Sequence, residues 1–250
     1  MKRLLPWTLL ILLLGSIVAW GLLYQLFYET YLEEQRLRLD PMELTQYGSE
    51  RIPVDSPLVV LFGDSRAEGW ISPNVPVATV VNRGIGGQTT AQLLGRMQQD
   101  VLSLKPDVVV FQAGINDLKM MAYFPGRAEL IQRDCQENIW SILQACREQD
   151  IPVVVSTLFP HGDIELLRRL FWDESVEEAV GKLNAELVRW ADQDEGLHLL
   201  DTWPLLASDG KKVDKAYQKD FLHLRIGGYA RLNEGLEPLL QEILLTSPTP

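Results

Sequence analysis

Serine, histidine and aspartate side chains are spaced along this chain as a hydrolytic site would require. Ser65 follows the apolar run Leu58–Phe62 after a Gly-Asp pair, and Asp220 precedes His223 by three residues near the C-terminus. A serine hydroxyl is a poor nucleophile near pH 7 until a base accepts its proton. We therefore predict that Ser65 is the nucleophile, that His223 is the general base, and that Asp220 holds the histidine ring and stabilises the imidazolium.

Two further motifs could supply hydrogen-bond donors to the reacting group. Gly84–Gly87 and Gly114–Asp117 each follow an apolar run, as Ser65 does. We predict an oxyanion hole made of the Ser65 amide, the Gly87 amide and the side-chain amide of Asn116. Donors of this kind are worth about 2.7–4 kcal/mol each in comparable sites. Because ligands bind at the carboxyl ends of the strands in open α/β sheets, the motifs are expected at one edge of a sheet.

Each motif also has a plainer interpretation. A serine in the position of Ser65 is commonly the N-cap of a helix, and the glycines of 84–87 could belong to a dinucleotide-binding loop. That fingerprint requires a third glycine where this chain has Thr89. Asn116 could serve a turn at the end of a strand. The downstream Asp-x-x-His favours the catalytic interpretation, whereas Asp64 and Asp117 are expected to brace the backbone.

With these residues in place, the chain resembles the SGNH hydrolases of the GDSL esterase/lipase family from about Leu58 to the C-terminal helix. The four blocks of that family correspond to Ser65, Gly87, Asn116 and His223, and Asp220 stands three residues before the histidine as it does in the family. Gly228-Tyr229 also fits the closing block. The resemblance implies an esterase that forms an acyl-enzyme on Ser65.

One residue departs from the family's motif. The family has leucine after the serine, whereas this chain has Arg66. The departure concerns the identity of the acyl pocket and leaves the nucleophile unaffected.

Composition narrows the classes of ligand. The formal net charge of −11 argues against binding to nucleic acid. No cluster of residues has the spacing of a metal site, and serine chemistry needs no metal. We expect no cofactor and no metal, and the 250 residues are ample for a single core.

The N-terminal segment is strongly apolar. Leu4–Tyr28 contains no charged residue, and at ~1.5 Å per residue it is long enough to cross a hydrocarbon core of ~30 Å. A cleaved signal peptide is the alternative, but the residues before Ala19 make a poor cleavage site. We predict an uncleaved, single-pass membrane anchor over residues 1–28.

The flanking charges indicate the orientation of this anchor. Lys2 and Arg3 directly precede the apolar segment, which favours a cytoplasmic N-terminus and a catalytic domain outside the cytoplasm. Residues 29–57 are predicted to form a stalk and linker with little that could pack on the core, of which Glu29–Leu39 is helical. Residues 58–250 are predicted to form the hydrolase domain.

Five apolar runs in this domain are typical of buried parallel strands. Helical patterns separate them, so we predict a flavodoxin-like α/β/α sandwich of three layers with a five-stranded parallel sheet. The runs are Leu58–Phe62, Val77–Val81, Val108–Phe111, Val153–Val155 and Leu197–Leu200. The last helix is expected to bury the stripe formed by Ile226, Tyr229, Leu232, Leu236, Leu239 and Ile243.

Apolar residues near the motifs could line a substrate pocket, although ordinary packing would explain them equally well. The candidates are Trp70 at the mouth, His161 in the wall, and Met120, Met121, Tyr123 and Phe124 after Asn116. A second apolar segment comprises Leu166, Leu167, Leu170, Phe171 and Trp172. No carboxylate has a spacing that would make it a partner of His161.

Three functions fit these observations. The leading hypothesis is a membrane-anchored serine esterase whose substrate is a small acyl or acetyl ester, a lysophospholipid or an acylated glycan. An O-acyltransferase would use the same residues, with a sugar hydroxyl in place of water. A non-catalytic carbohydrate-binding or scaffold domain on this fold is the third possibility, and the intact set of catalytic residues argues against it.

Overall fold

The computed structural model describes residues 5–48, 52, 56–165, 168, 172 and 174–246. The chain divides into two units, Met1–Gln46 and Tyr47–Pro250. The elements in chain order are α1 (Leu5–Leu39), β1 (Leu58–Gly63), α2 (Ser65–Glu68), β2 (Thr79–Gly84), α3 (Thr90–Asp100), β3 (Val108–Gln112), α4 (Ile115–Leu118), α5 (Met120–Tyr123), α6 (Ala128–Arg147), β4 (Val153–Ser156), α7 (Glu174–Gln193), β5 (Leu197–Leu200), α8 (Trp203–Leu206) and α9 (Ile226–Thr246).

The first unit is dominated by α1, an uninterrupted helix of 35 residues. An 18-residue stretch within its Trp7–Leu39 segment has a mean hydropathy of 2.1, and α1 is the one helix of the described chain that is long and apolar enough to cross a membrane. Large apolar side chains from Trp7 to Tyr28 are exposed. The predicted anchor and the predicted helical stalk are therefore parts of one helix. Lys2 and Arg3 lie outside the described residues.

The second unit contains a five-stranded sheet in the order β2-β1-β3-β4-β5, with every neighbouring pair parallel. This is the flavodoxin-like order, and it confirms the predicted fold. The strand bounds match the apolar runs closely except in β2. That strand begins at Thr79 and not at Val77, because the chain turns there with the Ala78 amide donating to Val75. Val77 is accordingly 57 % exposed.

Alternate residues of the strands face two separate cores, as the pleat of a sheet requires. In β1, Val60 and Phe62 pack into the core formed with α3, α6 and α7. Val59 and Leu61 pack on the opposite side, against α9. The sheet is thus covered on both faces, which explains why its central strands are continuously apolar.

The apolar stripe of α9 differs from the prediction at its first residue. Tyr229, Leu232, Leu236 and Ile243 are buried as expected, whereas Ile226 is 74 % exposed. Ile226 is the first residue of α9. Its side chain lines a surface groove and is not covered by another element of the described structure. Periodicity alone does not reveal where a helix extends past its core.

A buried arginine links α3 to the carboxyl end of β1. The side chain of Arg96 is fully buried, its Nη1 lies 3.0 Å from Asp100 Oδ2, and its Nη2 donates to the Gly63 carbonyl at 3.1 Å. Its Nε donates to Gln88 Oε1 at 2.6 Å. The guanidinium also lies over the ring of Phe62. Arg96 therefore joins the helix, the first strand and the loop after β2.

This arrangement predicts a large effect of Arg96→Met on stability. The substitution would leave the Asp100 carboxylate buried without its cation, which typically costs about 3–5 kcal/mol. Urea denaturation of the full-length protein in detergent, followed by tryptophan fluorescence, measures the free energy of unfolding.

Arg133→Met on α6 is the matched control, because Arg133 is 61 % exposed and pairs with Asp134 and Glu137 at the surface. Exposed pairs contribute little. Equal losses of stability in the two variants would contradict the assigned role of Arg96.

Candidate active site

The nucleophile motif lies at a close approach between strands. Gly63 ends β1, and a Cβ built there would lie 1.8 Å from the carbonyl oxygen of Gln112 in β3. Only glycine fits at that distance. The chain then turns into α2, whose N-cap is Asp64, and the Asp64 carboxylate accepts a hydrogen bond from the Arg66 amide at 2.9 Å. The capping role considered for Ser65 thus belongs to Asp64, and Ser65 is the first residue of the helix.

The Asp64 carboxylate has a perturbed proton affinity. It is fully buried, and burial raises its pKa to about 6, against the opposing effects of the Arg66 amide and guanidinium. Through its hydrogen bond to the Arg66 amide, Asp64 braces the backbone that carries Ser65.

Ser65, His223 and Asp220 form a connected chain of hydrogen bonds. Ser65 Oγ lies 2.9 Å from His223 Nε2. His223 Nδ1 lies 2.9 and 3.0 Å from the two oxygens of Asp220. Because a carboxylate only accepts, Nδ1 carries the proton and Nε2 is left to accept the serine proton. The structure brings together all three residues predicted for the triad.

The carboxylate of Asp220 is held by its own loop. Its Oδ1 accepts hydrogen bonds from the amides of Leu222 and His223 at 2.8 and 3.0 Å. Partial burial on its own raises the pKa of Asp220, but the hydrogen bond from Leu222 and the interactions with His223 outweigh it and leave the pKa below its usual value. Asp220 therefore stays ionised, as an orienting group for an imidazolium must.

Arg66 holds the segment Asp220–His223, called here the histidine loop, by a side-chain hydrogen bond. Its side chain is completely buried, its Nε donates to the Leu222 carbonyl at 2.9 Å, and its guanidinium lies over the ring of Phe159. Burial lowers the pKa of Arg66, while Asp64, Tyr229 and Asp220 oppose that shift by attraction. The residue that departs from the family's motif thus lies beneath the histidine loop and does not line the groove at Ser65.

The predicted oxyanion donors lie on the loops after β2 and β3. A Cβ built at Gly86 would lie 3.8 Å from Ser65 Cβ, which places the glycine loop beside the serine. Gly87 adopts a φ of +80°, a conformation that glycine takes without strain. Asn116 is buried, with its Nδ2 donating to the Gln88 carbonyl at 2.9 Å.

Asp117 braces the start of α3. Its carboxylate accepts hydrogen bonds from the amide and the hydroxyl of Thr90, at 2.9 and 2.7 Å. This agrees with the structural role expected of it.

A groove of about 830 Å³ opens at Ser65 and His223. Sequence reasoning missed most of its walls, which come from the α2 turn and from the segment 216–229. The lining residues beyond the triad are Glu68, Gly69, Ala216, Lys219, Leu224, Arg225, Ile226, Gly227 and Tyr229. The segment carries charged side chains without periodicity, so only the proximity of Asp220 and His223 in the sequence could have indicated it.

The residues predicted to line a pocket are placed elsewhere. Trp70 lies in the core, packed on Phe159 and Tyr229, with its indole Nε1 donating to Asn233 at 2.7 Å. This corrects its expected position at the mouth. Met121 is likewise a core residue.

Tyr123 and Phe124 are about half exposed and Met120 is partly buried. Tyr123 lines a separate cavity of about 110 Å³ with Lys119, Arg168, Trp172, Phe221 and Leu222. Leu166, Leu167, Leu170 and Phe171 lie outside the described residues.

His161 does have a carboxylate partner, contrary to expectation. Its Nε2 lies 3.1 Å from Glu177 Oε1, and both residues line a small cavity of about 60 Å³ with Trp172. Glu177 is in α7, and a contact between a loop and a distant helix leaves no trace in sequence spacing. In the described part of the chain, no group of three or more acidic, histidine or cysteine side chains is placed to hold a metal ion.

Comparison with known proteins gives a consistent picture. The model of the GDSL-like Lipase/Acylhydrolase family matches residues 47–231. The human platelet-activating factor acetylhydrolase IB subunit alpha2 is 28 % identical over 202 residues, which cover 77 % of this chain and 80 % of that protein. An uncharacterized lipoprotein of Bacillus subtilis (strain 168), YqeF, is 25 % identical over 63 % of this chain and 76 % of its own length.

Solved structures share the fold. A GDSL-like lipase from Bacteroides thetaiotaomicron superposes with a TM-score of 0.66 at 22 % identity, covering 80 % of this chain and 98 % of that one. The acetylxylan esterase Axe2 from Geobacillus stearothermophilus superposes with a TM-score of 0.56 at 19 % identity, covering 77 % and 96 %. By its family match, its fold and its relatives, this chain belongs to the GDSL-like lipase/acylhydrolase family and is an ester-hydrolysing enzyme.

Proposed function

We propose that the chain is a membrane-anchored serine esterase that cleaves a small acyl ester of a polar alcohol through an acyl-enzyme on Ser65. The observation that carries the proposal is the hydrogen bond of 2.9 Å between Ser65 Oγ and His223 Nε2, with the other ring nitrogen bound to Asp220. Nucleophile, base and orienting carboxylate are within hydrogen-bond reach in the order that acyl transfer needs.

In this mechanism His223 accepts the Ser65 proton as the hydroxyl oxygen attacks the ester carbonyl. The negative charge develops on the carbonyl oxygen, which the amides of Ser65 and Gly87 and the Asn116 side chain would stabilise. At the first position of α2 the Ser65 amide has no acceptor within the helix. The imidazolium then protonates the leaving alcohol, and water enters by the same route to release the acid and restore the serine.

The groove favours a polar leaving group. It presents Glu68, Lys219, Arg225 and Tyr229 around Ser65, and charged groups of this kind bind hydroxyl-rich alcohols better than alkyl chains. An acylated glycan or a small polar ester fits these walls better than the long chain of a lysophospholipid. The acetylhydrolase named among the relatives is consistent with a small acyl group.

The groove also favours hydrolysis over transfer. An O-acyltransferase would place a second hydroxyl compound at the acyl-enzyme and exclude water. Here the groove at Ser65 is open to solvent, and the chain belongs to an acylhydrolase family.

Membrane anchorage rests on α1. Its apolar residues lie all around the helix, which is typical of a helix that spans a bilayer and not of one that lies on its surface. The lipoprotein among the relatives and the predicted cytoplasmic N-terminus agree with a catalytic unit outside the cytoplasm.

The first test concerns the nucleophile and the base. Ser65→Ala and His223→Ala should each abolish nearly all turnover of a small ester, and the double variant should be little worse, because residues that act as a unit are non-additive. A fluorophosphonate probe should label Ser65, located by mass spectrometry. Ser141→Ala, an exposed serine of α6, should retain full activity; near-native turnover by the His223→Ala enzyme would refute the assignment.

The second test concerns the oxyanion hole. Asn116→Ala should lower kcat by ~10²–10³ with little change in KM, because the lost donor acts only when the charge develops. Steady-state kinetics measures both constants. An effect confined to KM would instead make Asn116 a substrate-binding residue.

The third test concerns the anchor and the start of the catalytic unit. The full-length protein should stay in membranes after a high-salt wash, because a spanning helix is not held by charge. External protease should remove the catalytic unit from spheroplasts; its protection while a known external domain is cut would contradict the proposed orientation.

Truncation at two positions refines this test. The linker was expected to pack little on the core, but Tyr47 donates a hydrogen bond to the Gly84 carbonyl and lies under the guanidinium of Arg83. A protein beginning at Tyr47 should be soluble and active. One beginning at Ser56 should unfold at a lower temperature, since Gly84 loses that partner. Equal thermal midpoints would show that the Tyr47 contact contributes nothing.

A further inference from the structure

Lys119 lies one turn after Asn116, directly behind the predicted oxyanion hole. It is the C-cap residue that directly follows α4, and its position three residues after Asn116 brings the two side chains to one face of this turn. Lys119 Nζ donates to Asn116 Oδ1 at 2.6 Å. A hydrogen bond from an ammonium to an amide oxygen is charge-assisted and stronger than a neutral one.

The two partners of Asn116 fix which way its amide faces. Lys119 can only donate and the Gln88 carbonyl can only accept, so Oδ1 must face the lysine and Nδ2 must face Gln88. The reversed amide would lose both hydrogen bonds. Gln88 uses one of the two Nδ2 hydrogens, and the other is left to meet a substrate oxygen.

We propose that Lys119 is a positioning residue of the esterase, whose ammonium orients the Asn116 amide and polarises it so that Nδ2–H is a stronger donor to the oxyanion. The inference rests on the proposed function of Asn116. Withdrawal of electron density at Oδ1 makes the Nδ2 hydrogens more positive, and a cation behind the amide favours negative charge in front of it. Lys119 acts through Asn116 and need not touch the substrate.

The surroundings of Lys119 make its charge sensitive to pH. Burial lowers the pKa of Lys119 below its usual value, Asp64 and Asp117 oppose the shift by attraction, and Arg66 and Arg168 add to it by repulsion. Tyr123 also faces Lys119, because both residues line the cavity of about 110 Å³ described above. A lysine with a lowered pKa is charged at low pH and loses its charge as the pH rises through that pKa. The oxyanion donor should therefore weaken on the alkaline side.

Kinetics of the full-length enzyme in detergent on a small ester tests the proposal. Lys119→Met should lower kcat about tenfold to a hundredfold with little change in KM, because the lost interaction supports a donor that acts in the transition state. Lys119→Arg, which keeps a permanent charge, should recover much of the loss. Lys182→Met is the matched control, because Lys182 is an exposed residue of α7.

The double variant Asn116→Ala/Lys119→Met should have the kcat of Asn116→Ala alone, since the lysine acts through the amide.

The pH profile of kcat gives an independent measurement. The alkaline decline of kcat in the wild type should move to higher pH in Lys119→Arg, whose guanidinium does not lose its proton in this range.

The possible outcomes distinguish a failure of the inference about Lys119 from a failure of the proposed role of Asn116. If Asn116→Ala leaves kcat unchanged, the proposed oxyanion hole fails and the inference fails with it. If Asn116→Ala lowers kcat while Lys119→Met does not, only the inference is overturned. A rise in KM alone, additive effects in the double variant, or an unshifted alkaline limb in Lys119→Arg would each overturn it too. Thermal midpoints of all variants distinguish these results from misfolding.

Discussion

The close approach of the strands at the carboxyl edge of the sheet is the constraint on which the site depends. A Cβ at Gly63 would lie 1.8 Å from the Gln112 carbonyl, and one at Gly84 would lie 2.1 Å from the Glu68 amide. Glycine at both positions lets β1, β2, β3 and the α2 turn meet without side chains between them. The loops that carry the proposed nucleophile and its proposed oxyanion donors are thereby brought close together, and larger residues at either position would separate them.

Two buried arginines hold loops of the site that lie outside the sheet. Arg66 anchors the histidine loop through Leu222, and Arg96 anchors the glycine loop through Gln88 and the end of β1 through Gly63. Burying a guanidinium is costly unless its hydrogen bonds are made. Each arginine therefore fixes the position of the loop that it contacts, and its removal would leave buried partners without their donor.

The fold was predictable because it depends on local patterns, and the residues proposed for the triad were indicated by sequence motifs and lie within hydrogen-bond reach of one another. Apolar runs such as Val108–Phe111 correctly predicted the strands, and Ser65 follows the end of β1 as the order of the motifs in the sequence had indicated. The walls of the site were not predictable in this way. Trp70 is apolar and close to Ser65 in sequence, yet α9 covers it, whereas Ile226 belongs to a helical stripe but lies beyond the core. Such differences depend on which element packs over a residue, and no single segment carries that information.

The distance along the chain between the proposed nucleophile and the proposed base has a consequence for biosynthesis. Ser65 and His223 are 158 residues apart, and Arg66, next to the serine, donates to the carbonyl of Leu222, next to the histidine. A chain leaving the ribosome therefore exposes its serine long before a base exists to activate it. In the proposed mechanism, activity begins only when the segment that carries His223 has folded onto the rest, so a chain that ends before His223 is expected to be inactive. The proposed membrane-anchored enzyme would in this way be kept from cleaving esters before its chain is complete.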